Sequence, residues 1–411
     1  MDDIVFVTAD SVRYDAVVEM DHISSREVLD GRAAAQYTRP SLASIHGSSY
    51  ESVLTGRVER PTLASVLGDA GYATLGLSPN PNTNGVFGFD EGFDRYDSFL
   101  EPGNRGSSLR QYLANFDLLR RVYYKFYPPH AKSENRPSDR EVVEKGIKWF
   151  NAAEPPRFLW IHLMETHRPY GSGDDAVSEE LDQKAFFKPE KLTDAEEREI
   201  DAKYRNALER ADRNIRHLLE SVDSDPAFVF TADHGEGFGE YGFYSHPHQC
   251  HDVLTHVPLV VHDPDGPSAR VEEVVELAQI PVTVVERAGI DVPESFARDR
   301  LPTASGDGGR NLAISEADLA PAYHGSVRTP SWRYVRDDVT ETERLYDVTD
   351  PAGSETDRTD ECPDVRDDLA AALRDHLAPP GRTVVDDGGA ETAAIEDAET
   401  ESRLRDLGYL E

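Results

Sequence analysis

Cysteine and long apolar runs are scarce in this sequence. Only Cys250 and Cys362 are present, so a disulfide framework is not expected and a reducing interior is favoured. The N-terminus enters the apolar run Ile4–Val7 without the basic region of a signal peptide, and no apolar stretch is long enough to cross a membrane. We therefore predict a cytoplasmic protein without a membrane span.

Basic residues are too few to balance the acidic ones. Asp and Glu number 78 against 43 Lys and Arg, a formal net charge of −35 that is spread along all 411 residues. A surface of this sign repels nucleic acid, so none is expected as a partner. Concentrated salt shortens the Debye length and screens the repulsion between acidic side chains. We therefore predict a halophilic protein of the kind that a haloarchaeal cytoplasm contains.

Short apolar runs alternate with helical patterns over most of the chain. The runs predict buried strands. They lie at Ile4–Thr8, Ala73–Leu77, Phe158–Leu163, Ala227–Thr231 and Pro258–His262. Helical patterns cover Thr62–Ala70, closed by Gly71, and Thr193–Ser221. The alternation predicts an α/β fold in which helices cover both faces of the sheet, a three-layer α/β/α sandwich.

The pattern changes after Leu312. Ser326–Asp337 and Glu343–Val348 are typical of antiparallel strands, and a helix is predicted over Val365–Leu377. We therefore divide the chain in three. The parts are a catalytic domain over residues 1–312, a small α+β subdomain over 313–380, and an acidic, Gly/Ala-rich tail over 381–411.

Two stretches rich in turn residues and charges interrupt the first domain. They are Glu101–Pro137 and Tyr170–Leu192. Long irregular segments of this kind commonly carry function. We expect both to form insertions over the site.

Polar residues directly follow two of the predicted strands. Asp10 ends the first strand, and Asp233 and His234 follow the strand Ala227–Thr231. Ligands of such sheets bind beyond the carboxyl ends of the strands. A lone Asp at this position is often only a helix N-cap, but the repeated ending favours a metal site. Two carboxylates and an imidazole suit Mn²⁺, Mg²⁺ or Zn²⁺, with Ca²⁺ as a further candidate.

Ordered motifs accompany these residues from end to end. They are Thr38-Arg39-Pro40-Ser41-Leu42, Trp160–Tyr170 with His167 ahead of Pro169, Asp233-His234-Gly235-Glu236, Ser245-His246 and Leu345-Tyr346-Asp347. Together they resemble the sulfatase family of the alkaline phosphatase superfamily. The resemblance implies an alkaline phosphatase-like fold with a small C-terminal antiparallel sheet and helix.

The resemblance also implies a chemistry and a site. Asp10, Asp233 and His234 would hold one divalent metal ion, and Thr38 would take the place of the nucleophile. His167 and one of His246 or His248 would bind the oxygens of the ester or protonate its leaving group. The substrate would be a small-molecule or glycan ester of sulfate or phosphate.

Three positions depart from the family pattern. Thr38 stands where sulfatases carry a Cys or Ser that is oxidised to formylglycine, so its hydroxyl would attack directly, as in similar phosphodiesterases and phosphotransferases of the superfamily. Ser11 replaces a second acid, and Leu42 replaces the arginine of the signature. Two alternatives therefore stay open. One is transfer of the phospho or sulfo group to a sugar or lipid hydroxyl, and the other is a metal-binding relative that has lost turnover.

Several of these residues also have plainer interpretations. Thr38 could cap the helix that Pro40 begins. We interpret His162, inside a predicted strand, as a satisfied core histidine outside the site. The loop with His246, His248, Cys250 and His251 lacks zinc-finger spacing, which disfavours a separate structural zinc. Arg13 and Asp15 are expected to form a local ion pair.

Overall fold

The computed structural model describes most of the chain. The described residues are 2–49, 51–99, 137–171, 175–262, 274–296, 301, 311–319, 322–349 and 356–377. The predicted insertion 101–137 lies outside these ranges except for its last residue. The predicted tail 381–411 lies outside them entirely.

The principal feature is a mixed sheet of eight strands. Its members are β1 Ile4–Ala9, β2 Leu29–Arg32, β3 Ala73–Leu77, β4 Arg95–Asp97, β5 Arg157–Leu163, β6 Ala227–Ala232, β9 His256–His262 and β10 Val275–Glu276. Their spatial order is β10-β2-β9-β6-β1-β5-β3-β4. The short strands β7 Gly237–Phe238 and β8 Tyr244–Ser245 pair with each other outside this sheet. The central strand β1 is parallel to both of its neighbours, β5 and β6, whereas β9 runs antiparallel to β6 and β2.

Ten α-helices lie within the described residues. They are α1 Asp21–Ser24, α2 Thr38–Gly47, α3 Glu51–Thr55, α4 Leu63–Asp69, α5 Asp139–Ala152, α6 Glu179–Phe187, α7 Asp194–Ser221, α8 Asp252–Thr255, α9 Ile280–Arg287 and α10 Pro363–Leu377. Helices α5 and α7 pack against each other, and α9 packs against α2 and α4.

These two groups of helices cover opposite faces of the sheet. His46 of α2 meets the ring of Trp160 at 4.3 Å between centroids. On α5, a Cβ added to Gly146 would lie 2.6 Å from Ile161 Cδ1. Neighbouring residues of a strand point to opposite faces. The helix that contacts Trp160 therefore lies on one face of the sheet, and the helix that contacts Ile161 lies on the other. The predicted three-layer α/β/α sandwich is thereby confirmed.

Parallel pairing brings four strand ends to one edge of the sheet. The register joins Ala9 of β1 to Leu163 of β5 and to Ala232 of β6. Strand β3 is parallel to β5 and ends beside it. The residues that follow β1, β3, β5 and β6 therefore meet at this edge, where the sequence places Asp10 and Asp233.

All five predicted strands and both predicted helices of the first domain are present. Thr62 and Thr193 are the N-caps of α4 and α7, and each helix begins one residue later than predicted. The short strands β2, β4 and β10 and the helices α2, α5, α6 and α9 were not delimited from the sequence.

A second, antiparallel sheet follows the main one. It consists of β11 Ala313–Leu319, β12 Ala322–Arg328, β13 Trp332–Asp337 and β14 Thr342–Asp347, paired in chain order. The prediction of one strand over Ser326–Asp337 was wrong, because residues 329–331 separate β12 from β13, and β11 was not foreseen. Helix α10 covers this sheet through Leu369 and Leu373, as predicted. The division of the chain at residue 312 stays a prediction.

The two cysteines are unpaired, and Cys250 is buried. In the ranges that the structure covers, we find no helix with the length and apolar character that crossing a membrane demands.

Candidate active site

Asp10 is the centre of a fully buried polar cluster at the edge of the main sheet. Its Oδ2 accepts hydrogen bonds from Thr38 Oγ1 at 3.2 Å and from Asn80 Nδ2 at 3.0 Å, and Ser11 Oγ donates to Oδ1 at 3.0 Å. The side chain thus accepts from other side chains and does not cap a helix. This geometry favours the interpretation of Asp10 as a site residue.

Thr38 is the first residue of α2 and faces Asp10. The N-cap of α2 is Tyr37, which makes no side-chain capping bond, so the alternative of Thr38 as the cap is wrong. The Thr38 hydroxyl oxygen lies 3.5 Å from His234 Nε2 and accepts from Asn80 Nδ2 at 3.4 Å. Helix α2 therefore directs this hydroxyl into the cluster.

Asp233 and His234 complete the cluster from the end of β6. Asp233 Oδ1 accepts from the backbone N–H groups of Ser11 and His234, at 3.1 and 2.8 Å. His234 Nδ1 lies 2.7 Å from the carbonyl oxygen of Gly235. Since a carbonyl only accepts, Nδ1 carries a proton and the neutral ring keeps a lone pair on Nε2. That Nε2 lies 3.8 Å from Asp10 Oδ1 and 3.6 Å from Asp233 Oδ2.

His162 also belongs to this cluster, which corrects its exclusion from the site. It is buried inside β5, as expected, and its Nδ1 lies 2.9 Å from Thr8 Oγ1. Its Nε2, however, lies 3.5 Å from Asp10 Oδ2. Asp10, His162 and Asp233 bring ligand atoms within 4.8 Å of one another. The parallel register places His162 beside Thr8, which the strand pattern alone could not reveal.

The residues of the cluster fit a divalent metal ion. Asp233 Oδ2 is buried without a hydrogen-bond partner among the described residues, and buried polar atoms rarely stay unpaired. Donors that bind one ion at roughly 2.1 Å sit roughly 3 to 3.5 Å apart, close to the separations around His234. Oxygen and imidazole donors suit Mn²⁺, Mg²⁺ or Zn²⁺.

The two carboxylates perturb each other strongly. Burial alone would raise the pKa of Asp10, but His167, His162 and His234 outweigh it and hold that pKa well below its ordinary value. Burial, followed by the charge of Asp10, raises the pKa of Asp233 well above its ordinary value. Two buried carboxyl groups this close resist carrying two negative charges. A cation between them would favour the charged form of both.

His167 and His246 lie on the same side of the cluster. The ring of His246 is 4.5 Å from that of His234 and 6.5 Å from that of His167, between centroids. Burial, followed by His234 and His167, lowers the pKa of His246 well below its ordinary value. A neutral His246 can still donate one N–H to an oxyanion.

His248 is placed differently. Its Nδ1 lies 2.8 Å from Gln36 Nε2, and its ring meets Tyr37 edge-on. Burial lowers the pKa of His248 to about 4. The contacts described for His248 are thus with residues that precede α2, whereas His246 contacts the cluster itself.

The cysteine and histidines of the neighbouring loop have contacts of their own. Cys250 donates to the backbone of His324, and His251 stacks on Tyr241 at 3.9 Å. Throughout the described ranges, Asp10, His162 and Asp233 are the one group with metal-binding spacing. The expected ion pair between Arg13 and Asp15 is present at 2.6 Å.

Sequence reasoning missed two further residues around the cluster. Asn80, in the loop after β3, contacts both Asp10 and Thr38, and its position after an apolar run was the available signal. Glu236 lies inside the motif at the end of β6. Burial raises its pKa to about 7, opposed by His234 and Arg168.

Comparison of the whole chain with known proteins identifies its family and several similar structures. The model of the Sulfatase family matches residues 3–290. A 2-O GAG sulfatase has a similar structure, with 15% identity, 92% of each chain covered and a TM-score of 0.68. The phosphonate monoester hydrolase of Agrobacterium radiobacter, 17% identical, covers 91% of this chain and 95% of its own at a TM-score of 0.66.

A third similar structure contains a bound sugar. It is a complex with the substrate D-glucosamine-2-N,6-O-disulfate, with 14% identity, 92% of this chain and 97% of that chain covered, and a TM-score of 0.62. At these identities the likeness shows the fold. A search of curated proteins gives no match.

Proposed function

Because the chain belongs to the sulfatase family, we propose that it is a metal-dependent hydrolase of sulfate or phosphate esters in which Thr38 is the nucleophile. The observation that carries the proposal is the contact of 3.2 Å between Thr38 Oγ1 and Asp10 Oδ2, in a buried cluster whose donor atoms could bind a metal ion. Glycan or small-molecule esters are the substrate class, by analogy with the similar sulfatase structures.

The residues of the cluster would have separate roles as metal ligands, nucleophile and proton donor. Asp10, Asp233 and His234 would hold the ion. When bound, the ion would neutralise charge on the ester and lower the pKa of the Thr38 hydroxyl. The Thr38 hydroxyl would lose its proton to solvent water, and Oγ then forms a bond to sulfur or phosphorus while the bond to the leaving oxygen breaks. His167 gives that oxygen a proton, His246 donates an N–H hydrogen bond to an oxygen of the ester, and water afterwards releases Thr38 from the covalent ester.

Thr38→Ala provides the decisive test. We expect it to lower kcat by about 1,000-fold or more, because the covalent step is lost while the remaining site still binds the ester. Initial rates are measured on a sulfate, a phosphate monoester, a phosphodiester and a phosphonate ester at high salt. Each substrate is tested with Mn²⁺, Mg²⁺, Ca²⁺ and Zn²⁺, which also identifies the ester class and the preferred ion.

Ser44→Ala is a matched control on the same helix. Ser44 is buried in α2, but its hydroxyl bonds the carbonyl of Ser41 within that helix, so the activity should survive. Unchanged turnover in Thr38→Ala would remove Thr38 from the mechanism. Adding an alcohol acceptor separates hydrolysis from transfer, since a transferase forms a new ester with the alcohol.

A second candidate, a relative without turnover, is favoured by Ser11 and Leu42. Leu42 is fully buried in the apolar core, so no charge stands where the family signature has an arginine. Ser11 supplies a hydroxyl to Asp10 where the opening acidic pair of the family has its second acid. Stoichiometric metal binding without cleavage of any of the four esters would support this candidate over the hydrolase.

A further inference from the structure

A chain of buried polar contacts, of which the first two are hydrogen bonds, runs from the core of the main sheet to Asp10. Trp160 Nε1 donates to Thr8 Oγ1 at 3.2 Å, and Thr8 Oγ1 lies 2.9 Å from His162 Nδ1. At the end of the chain, His162 Nε2 lies 3.5 Å from Asp10 Oδ2. All four side chains have no exposed surface.

Proton counting along this chain fixes the tautomer of His162. The indole of Trp160 can only donate, so the Thr8 oxygen accepts from it. The Thr8 hydroxyl proton then needs an acceptor, and among the described contacts His162 Nδ1 supplies it. The reverse arrangement would leave a buried hydroxyl proton without an acceptor, which native structures avoid. Nδ1 therefore accepts, and the neutral ring carries its proton on Nε2.

We propose that His162 is a positioning residue that holds the Asp10 carboxylate through Nε2–H, oriented by Trp160 and Thr8, and does not bind the metal ion itself. A metal ligand would need the lone pair of Nε2, which the proton occupies. His162 thus differs from His234, whose Nδ1–H bond to Gly235 leaves Nε2 free to bind. The ligand set is then Asp10, Asp233 and His234, and His162 restrains the first of these. This inference deepens the proposed function and depends on it for its metal readout.

The tautomer can be measured directly. Long-range ¹H–¹⁵N correlation spectra of protein with ¹⁵N-labelled histidine distinguish a protonated from a lone-pair nitrogen, and His162→Gln identifies the signals of His162. We expect Nε2 to be protonated in the metal-free protein and in the protein loaded with diamagnetic Mg²⁺ or Zn²⁺. A lone-pair Nε2 in the loaded protein would make His162 a ligand and overturn the proposal.

Thr8→Val tests the role of the chain with little change in shape. We expect Mn²⁺ affinity, measured by titration calorimetry, to fall about 10- to 100-fold, because residues that orient metal ligands contribute that much. Trp160→Phe should have an effect of the same direction. Thr231→Val is the matched control, since Thr231 lies beside Thr8 in the sheet and bonds only backbone carbonyls in its described contacts. Its affinity should equal that of the wild type.

The two readouts separate this inference from the proposed function. If the wild type binds no divalent ion, the proposed function fails, yet the spectrum of the metal-free protein still decides the tautomer. If Thr8→Val keeps both the Nε2–H tautomer and the full Mn²⁺ affinity, the positioning role is wrong while the hydrolase proposal stands. Thermal melting of each variant verifies that it is folded.

Discussion

At the scale of single residues, Asn80 contacts both Asp10 and Thr38. Its Nδ2 donates to Asp10 Oδ2 at 3.0 Å and to Thr38 Oγ1 at 3.4 Å, and the side chain is fully buried. Asn80 Oδ1 accepts from the backbone N–H of Asn82, which fixes the orientation of the amide. One amide group therefore donates hydrogen bonds both to the proposed nucleophile and to the carboxylate.

We predict that Asn80→Ala lowers kcat by about 10- to 100-fold with a small change in KM, because a misplaced nucleophile loses the attack geometry while binding is retained. Steady-state kinetics on the best ester of the panel measure both constants. Asn84→Ala is the control, since Asn84 caps a neighbouring turn through the N–H of Val86. An increase in KM at constant kcat would show that Asn80 binds substrate and does not position Thr38.

The site residues differ in how clearly the sequence predicts them. Asp10 and Asp233 could be predicted because a polar residue at the end of a buried strand has a local signal, and Thr38 because it stands in a motif. His162 has no such signal, and that of Asn80 is weaker, because Asn80 stands three residues after the end of β3. The place of His162 depends on the pairing of β5 with β1, and that of Asn80 on how the loop after β3 folds towards α2. Both are relations between distant segments, which a single sequence does not state.

At the scale of elements, the best predictions concern strands that are buried on both faces. Strands of this kind appear as continuous apolar runs, and β1, β5 and β6 are buried almost throughout. Helices α4 and α7 were predicted from their helical patterns, and in the structure a threonine caps each one. In α7 the cap Thr193 is joined by Glu196, which reaches back to the N-cap backbone.

The missed elements are short or carry a signal that was not used. Strands β2, β4 and β10 have four, three and two residues, too few for a period of two to emerge. Helix α5 does have a capping box, formed by Ser138 and Glu141. The hairpin of β12 and β13 was predicted as one strand because its turn, Thr329 to Ser331, is short and contains a single proline.

At the scale of the whole molecule, an ionic cluster joins the two sheets. Asp252, the first residue of α8, lies 3.5 to 3.7 Å from three arginine side chains. These are Arg32 of β2, Arg328 of β12 and Arg333 of β13. Arg32 and Arg333 are almost fully buried. Asp252 thus opposes three guanidinium groups at the junction, next to the loop that carries His246, and Asp30 is a second partner of Arg32 at 2.8 Å.

We predict that Asp252→Asn lowers the free energy of unfolding by about 2 to 3 kcal/mol, because buried guanidinium groups lose the charge that offsets them. Denaturant titration at pH 7 measures the loss. Asp338→Asn is the control. It breaks a more exposed pair with Arg336 on the same sheet, so a change below about 1 kcal/mol is expected. Equal losses in both variants would contradict a special role for the cluster.

The same cluster predicts a pH dependence. Burial alone would raise the pKa of Asp252, but Arg32, Arg333 and Arg328 outweigh it and hold that pKa below its ordinary value. A carboxyl group with a depressed pKa in the folded state stabilises the fold above the ordinary pKa, and this stability is lost as the pH falls. Wild-type stability should therefore drop below about pH 4. Asp252→Asn should drop less steeply over the same range.

The net charge of −35 predicts that salt stabilises this protein. Exposed acidic groups repel one another over a Debye length of about 10 Å at 0.1 M salt but only about 3 Å at 1 M. We expect the melting temperature in 2 M KCl to exceed that in dilute buffer by at least about 5 °C, because screening removes repulsion that favours the unfolded chain.

Screening must be separated from the general stabilisation that excluded solutes provide. Sucrose at the same osmolality is excluded from the protein surface but does not screen charge, so it should raise the melting temperature less than KCl does. Equal melting temperatures in dilute buffer and in KCl would contradict the halophilic interpretation. Equal effects of sucrose and KCl would show that charge repulsion is not what limits the stability of the fold.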